Sequence, residues 1–430
     1  MSRREILERL KRAIQEQLVK EFALSRLFAT QVLTDKRKIL ISRIETLIKK
    51  HSRFERINDL KPVEEEELVK EIVDELLGYG PIDDLMKDEE ITEILINGPD
   101  KVYAEKEGKK ILTDIEFSSV DQLNHLIQKM VSYGNRKVDE STPYVDVSLG
   151  DGTRVNVILP PLALNGPVVT IRKLSKSFVR IEDLVKAGTL SKQAAEFLVA
   201  CVLARINIIF SGPTGVGKTT TLGILSFYIS RDERIVVMED TRELTFYQEH
   251  VVRLQARFPN IEGKGEITIR DLLKNSLRMR PDRIVIGEVR GGEALDMVQA
   301  MASGHSGALG VVHAASPEDV ISRLEAMIAT SGVAIPLWAI RRHIANNLNL
   351  IVQQERMQDG SRKVTKITEV HQGSKADEIE LDDIYVFNQR GFAEDGKILG
   401  EMAATGAVPS FIPKLRKKGI NIDSDFFKKQ

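Results

Sequence analysis

One cysteine, Cys201, in 430 residues excludes an internal disulfide. It lies inside the apolar run Phe197 to Leu203, the setting of a core residue rather than a nucleophile or a metal ligand. A chain so poor in cysteine fits a reducing compartment. Aromatic residues make up only 5%, with a single Trp, and the net charge is −1. A nucleic-acid motor needs a basic channel with stacking aromatics, so no nucleic acid is expected as a partner. No run of about 18 uncharged apolar residues occurs. The opening MSRREILERLKR also lacks the apolar centre of a signal peptide. The expected location is cytoplasmic, with any membrane association made through another protein.

What the chain does have is GPTGVGKTTT, Gly212 to Thr221. It follows an apolar run, Ile206 to Phe210, that reads as a buried strand, and it opens into a helical stretch, Lys218 to Ile229. This is the phosphate-binding pattern G-x-x-x-x-G-K-[ST] in its required strand–loop–helix setting. The glycines let the loop wrap closely around an anion, and the helix start adds its positive dipole end. Gly212, Pro213, Thr214, Gly215, Val216, Gly217, Lys218, Thr219 and Thr220 are therefore candidate nucleotide-binding residues. Lys218 is expected on the β- and γ-phosphates of ATP, and the Thr219 hydroxyl on Mg²⁺.

The length fits two or three domains. Residues 1–60 read as a basic helical segment, with Ile6, Leu10, Ile14, Leu18 and Phe22 forming one apolar stripe. Residues 1–56 carry fifteen basic and seven acidic side chains, whereas 57–90 carry three lysines and thirteen acids. The basic face is either solvated, paired with its acidic neighbour, or directed at an anionic membrane or a membrane protein's acidic loop. Residues 61–174 read as a smaller α/β domain: a helix over Glu64–Leu77, short strands ITEILING and KVYAE around the turn Asn97-Gly98, a helix over Val120–Tyr133, then strands over Tyr144–Ser148, Thr153–Leu159 and Pro167–Arg172. A hinge is expected over 175–190, centred on Ser175 to Glu182. The domain that carries the phosphate loop would span 191–430.

In that last domain RIVVMED, DRIVIGE and ALGVVHA are near-continuous apolar strands separated by helical patterns, as parallel strands buried on both faces require. LNLIVQQERM and SRKVTKITEV flank Asp359-Gly360 as an antiparallel hairpin, and the tail from KILGEMAATG onward reads as a last helical subdomain. Two carboxylate clusters end strands expected to neighbour the phosphate-loop strand. Glu288 closes IVIGE, where an acid can act on Mg²⁺; Glu239 and Asp240 close VVMED, with Glu243 close behind. A carboxylate near the γ-phosphate could activate water; alternatively, Glu239 and Glu243 pair with Arg242 or Arg253. His305 and His313 bracket the next strand without metal-ligand spacing, so each is either a hydrogen-bonded structural histidine or, for His313, a γ-phosphate contact. Arg154 and Arg172 lie on strands of the preceding domain, where each could meet phosphate or pair with a carboxylate.

These segments together resemble the type II and type IV secretion ATPases, which share four boxes in this order. Here the boxes are GPTGVGKT, MEDTREL, IVIGEVRGGEA and GHSGALGVVHA. The run from VVRLQARF to AMASGH, with EILINGPDKVY, DESTPYVDVSLGDGTRVNVILPPLALNGPVVTIRKL and FIPKLRKKGI, is most similar to the CpaF branch, motor of the tight-adherence pilus. The resemblance covers the chain after about residue 60. It departs from the family pattern at Gly310, Val311 and Ala315.

The resemblance implies an α/β fold. A RecA-like domain with a twisted, mainly parallel sheet would follow a PAS-like α/β domain and a short helical bundle. It implies a homohexameric ring that hydrolyses ATP with Mg²⁺ and drives pilus assembly, with or without retraction, through inner-membrane platform proteins. A type IV secretion traffic ATPase is the nearest alternative, and a RecA-like nucleic-acid motor a more distant one. Glu239 would activate water, Glu288 would be the magnesium-side acid and His313 the γ-phosphate sensor. Arg154 and Arg172 would stabilise transition-state charge, with Asp240, Arg290 and His305 close by.

Overall fold

The computed structural model describes residues 9–11, 13–14, 17–18, 33–54, 61–106, 108–133, 136–173, 180–257, 259, 264–375 and 378–429. The chain divides into two compact units, Met1–Ser175 and Lys176–Gln430. Among the described residues no helix is long and apolar enough to cross a membrane.

In the first unit, the helical residues 9–11, 13–14 and 17–18 precede helices α1 (Leu33–Phe54) and α2 (Pro62–Leu77). Leu40, Ile44, Leu47 and Ile48 recur at helical spacing on α1 and bury themselves against Leu68, Ile72 and Val73 of α2. Leu10, Ile14 and Leu18 of the apolar stripe join this core; Ile6 and Phe22 lie outside the described residues. Lys11 reaches Glu71 at 2.9 Å, so at this point the basic segment pairs with its acidic neighbour.

After α3 (Asp83–Lys87) come strands β1 (Ile91–Asn97), β2 (Val102–Lys106) and β3 (Lys109–Leu112), helix α4 (Val120–Tyr133), and strands β4 (Tyr144–Ser148), β5 (Arg154–Ile158) and β6 (Val168–Arg172). The strands form one antiparallel sheet in the order β3-β2-β1-β6-β5-β4. Leu123, Ile127 and Met130 of α4 lie in one core with Ile94, Val157 and Ile171 of the sheet. β3 has no counterpart in the sequence reading, because its four residues are all exposed and show no alternation.

The second unit begins with α5 (Ile181–Lys186) and α6 (Lys192–Leu203). It continues through β7 (Ile208–Ser211), α7 (Lys218–Ser226), β8 (Ile235–Glu239), β9 (Val251–Gln255), α8 (Ile269–Ser276), β10 (Arg283–Ile286), α9 (Glu293–Ala302) and β11 (Leu309–Val312). Then follow α10 (Pro317–Ala329), α11 (Leu337–Asn347), β12 (Leu350–Arg356), β13 (Arg362–Gln372), β14 (Ile379–Phe392), β15 (Ile398–Ala404) and α12 (Ile412–Lys417).

Nine strands form one mixed sheet, β15-β14-β13-β12-β7-β11-β10-β8-β9. From β12 to β9 the pairings are parallel; from β12 to β15 they are antiparallel. Alternate residues of β7 feed the cores on the two faces, Ile208 and Phe210 on one side and Ile209 on the other.

Two expectations need correction. KILGEMAATG is not helical: Ile398–Ala404 is β15, paired with a fourteen-residue β14, and only Ile412–Lys417 of the tail is α-helix. The acid-bearing strands also do not neighbour β7. β11 lies between β7 and β10, and β8 lies one strand further out. Part of the expected hinge, 175–179, lies outside the described residues; of the remainder, Ile181–Lys186 is α5.

Candidate functional site

β7 reaches the site fully buried, ends at Ser211 and leads into Gly212. There φ is +145°, and a Cβ would stand 2.2 Å from the Gln354 carbonyl oxygen, so no side chain fits. At Gly215, φ is +78° and nothing lies within 4 Å of the Cβ position, which leaves open space at the loop. Val216 is buried beneath the loop, and Thr220 faces solvent on α7. α7 starts at Lys218, so its unpaired N–H groups and positive dipole end sit at the same loop.

Lys218 is buried. Its Nζ donates to the carbonyls of Gly212 at 2.9 Å and Pro213 at 2.6 Å, and lies 3.4 Å from Nδ1 of His313. Among the described residues no carboxylate pairs with this ammonium. Burial pushes its pKa down to about 8, against the attraction of Glu288 and Glu243. A cation held by neutral oxygens in a glycine-built cradle is chemically suited to a phosphate.

Thr219 and Glu243 meet beside the lysine, Oγ1 to Oε2 at 3.4 Å. Glu288, just past β10, has its Oε1 3.5 Å from Nε2 of His313. Burial first, and the Lys218 charge second, lower the His313 pKa, so the imidazole is neutral at neutral pH. Nδ1 can then accept toward Lys218 while Nε2–H points toward Glu288. Thr219 and Glu288 carry hard oxygen donors, the kind Mg²⁺ takes, and fit that ion by their chemistry.

Glu239 sits differently. It is buried at the end of β8, and its Oε1 accepts the backbone N–H groups of Glu243 and Leu244, each at 2.7 Å. Burial raises its pKa, although the two N–H groups favour the carboxylate. The partner of this acid is thus the loop backbone, while Arg253 donates to the Leu244 carbonyl at 2.8 Å. Asp240 pairs with Arg290 at 2.7 Å, joining the ends of β8 and β10. His305 lies before β11, with Nδ1 3.3 Å from the Ser303 hydroxyl.

In the first unit, Arg154 and Arg172 lie directly opposite one another on β5 and β6. Glu93 of β1 is next along the same row, and Arg172 Nε donates to its Oε1 at 2.7 Å.

Three residues unremarked in the sequence reading also meet the loop. Arg362 Nε donates to the Gly215 carbonyl at 2.9 Å, Gln354 Nε2 to Thr221 Oγ1 at 3.0 Å, and Gln353 accepts from Ser211. Two adjacent glutamines inside the apolar strand LIVQQ were the available signal.

A family model described as type II/IV secretion system protein matches residues 75–382. The chain is 33% identical over 340 residues to a Mycobacterium tuberculosis protein provisionally named a conjugal transfer protein, covering 77% of this chain and 95% of that one. It is 29% identical over 331 residues to the type IV secretion system protein VirB11 of Bartonella henselae, covering 68% and 92%. Among solved structures, the VirB11 ATPase of the Brucella suis type IV secretion system, in complex with sulphate, is 27% identical over 67% of this chain and 94% of that one, with a TM-score of 0.37. By the family match and the mycobacterial relative, this chain belongs to the type II/IV secretion system protein family.

Proposed function

We propose that this chain is a P-loop ATPase, working in the cytoplasm as a homohexameric ring, that drives assembly of a tight-adherence or type IV-like pilus through inner-membrane platform proteins. The observation that carries the ATPase reading is Lys218: a buried amine resting on two loop carbonyls, with Thr219, Glu243, Glu288 and His313 grouped near it. On binding ATP, Lys218 would turn from those carbonyls to the β- and γ-phosphate oxygens, and the loop N–H groups would hold the rest of the chain of phosphates. Mg²⁺, once bound, supplies charge neutralisation at those oxygens.

The chain's own residues divide the remaining work. Thr219 and Glu288 would hold the ion, directly or through its waters. His313, neutral and between Lys218 and Glu288, would sense the γ-phosphate. The acidic box would activate water, with Glu243 nearest the magnesium side and Glu239 fixing the backbone that carries it. Arg154 and Arg172 would add positive charge to the transition state. Loss of γ-phosphate contacts would release a hinge over 175–190 and so do mechanical work.

Phosphate release by the purified full-length protein, measured beside Lys218→Ala, tests the ATPase reading. Turnover by wild type and none by the variant is expected; equal release by both would overturn it. The names carried by the relatives favour a second reading, a type IV secretion motor for conjugal transfer. Deleting the gene separates the two: loss of surface filaments supports the pilus, loss of DNA transfer the secretion reading.

A further inference from the structure

β12 lies between β7 and β13, and its register against β13 shifts between Gln353 and Gln354. Successive residues of a regular strand point to opposite faces, and a bulge disturbs that alternation. Here both glutamines are buried, each 1% exposed, within an otherwise apolar strand segment. A buried primary amide is costly unless its donors and acceptor find partners, so the partners matter.

Gln353 stands beside Ser211 in the parallel β12–β7 register. Its Oε1 accepts the Ser211 hydroxyl, and its Nε2 donates to the carbonyls of Ala315 at 3.0 Å and Ala314 at 3.4 Å. Those carbonyls can only accept, which fixes the amide with nitrogen toward the end of β11 and oxygen toward β7. One side chain therefore spans from β12 past β7 to the carbonyls of the two residues that follow His313. On the other flank, the Gln354 carbonyl closes over Gly212 while its side chain holds Thr221.

We propose that Gln353 is the positioning residue of His313. By fixing the carbonyls of Ala314 and Ala315 to the end of the phosphate-loop strand, it sets where the imidazole stands relative to Lys218 and Glu288. The inference rests on the nucleotide reading of the site given above. Gln353 acts through His313 and does not touch the phosphates, so its loss weakens turnover and spares binding.

The test uses the full chain, with steady-state phosphate release and the affinity of a fluorescent ADP analogue measured together. Gln353→Met keeps the length and volume of the side chain and removes its hydrogen bonds. It is expected to lower kcat by about tenfold or more, since small misplacements of a catalytic group are expensive. ADP affinity should stay within about threefold of wild type, and in a His313→Ala background Gln353→Met should change kcat by less than about twofold. An additive loss in the double variant, an unchanged kcat in either single variant, or a parallel collapse of ADP binding would each overturn the proposal. If Gln353→Met does not fold, Ser211→Ala removes only the hydroxyl that Gln353 accepts. It should give a smaller kcat loss that again vanishes without His313, and an additive loss counts against the idea. A wild-type chain that binds no ADP overturns the nucleotide reading and this inference with it; normal binding with additive variants overturns this inference alone.

Discussion

Glu239 holds the backbone of Glu243: its buried Oε1 accepts the Glu243 N–H at 2.7 Å, and the Leu244 N–H at the same distance. Glu243 in turn directs its own Oε2 toward Thr219. The neighbouring Gly287 makes room for this arrangement, since a Cβ there would stand 2.9 Å from Glu239 Cγ.

The two acids should therefore separate on isosteric substitution. Glu239→Gln keeps an oxygen for the two N–H groups and is expected to retain turnover within about tenfold. Glu243→Gln is expected to lose about 10²-fold or more, the scale of lost general-base assistance. Glu239→Ala leaves both N–H groups bare and should lower the melting temperature by about 5–15 °C. Phosphate release and calorimetry on the three variants check this; a dead Glu239→Gln protein with normal stability would make Glu239 the base.

Nucleotide affinity should depend on pH through Lys218. Its pKa, about 8, lies below the ordinary 10.5 because burial disfavours the ammonium, and a bound phosphate would raise it again. Binding then takes up a proton above pH 8, so ADP affinity falls as pH rises through that value, by up to about tenfold per unit. For stability the sign is fixed by the same shift. Between about 8 and 10.5 the unfolded chain holds the extra proton, so the cost of burying the charge is full below that window and fades across it. Titration of labelled ADP from pH 7 to 9.5 decides the matter, and a flat profile contradicts it.

Gly212 and Gly215 should respond unequally to alanine. Gly212→Ala drives a methyl into the Gln354 carbonyl at a place with no slack, for an expected loss above about 3 kcal/mol. Gly215→Ala meets open space and bears only the left-handed backbone penalty, about 1 kcal/mol. Denaturant unfolding without nucleotide measures both, and equal losses would be unexpected.

Arg172→Ala should barely alter the first unit. Its partner Glu93 is a surface ion pair, and removal also relieves the repulsion from Arg154 opposite, so the change should stay within about 1 kcal/mol. A fall in phosphate release of about tenfold or more in a stable Arg172→Ala protein would assign it to the chemistry. Unchanged release would leave it a sheet residue.

What the sequence made legible was local. The phosphate loop is contiguous, its flanks carry a buried strand and a helix, and Val120–Tyr133 has a periodicity that ends where its helix ends. The β12–β13 hairpin announced itself through Asp359-Gly360 between alternating runs. Strand order was not legible: nothing in Leu309–Val312 says that it lies between β7 and β10. β14 was missed because its alternation is broken by Asp382-Asp383 and by a register shift, and β15 then lost its partner. Gln353 and Gln354 stood out only as polar residues in an apolar strand, since Ser211 and Thr221, which they meet, lie at the far end of a long stretch of chain.

That separation bears on how the protein is made. Ser211 and Gln353 are 142 residues apart, so a ribosome emits the glycine cradle long before the strand that forms its floor. At about 5–20 residues per second, β7 waits roughly 7–28 s with one edge uncovered, a time in which unpaired strands invite aggregation. Assembly of the cradle is thus a late event in biogenesis, and a nascent chain stalled before Leu350 carries every phosphate-loop residue without the support that shapes them.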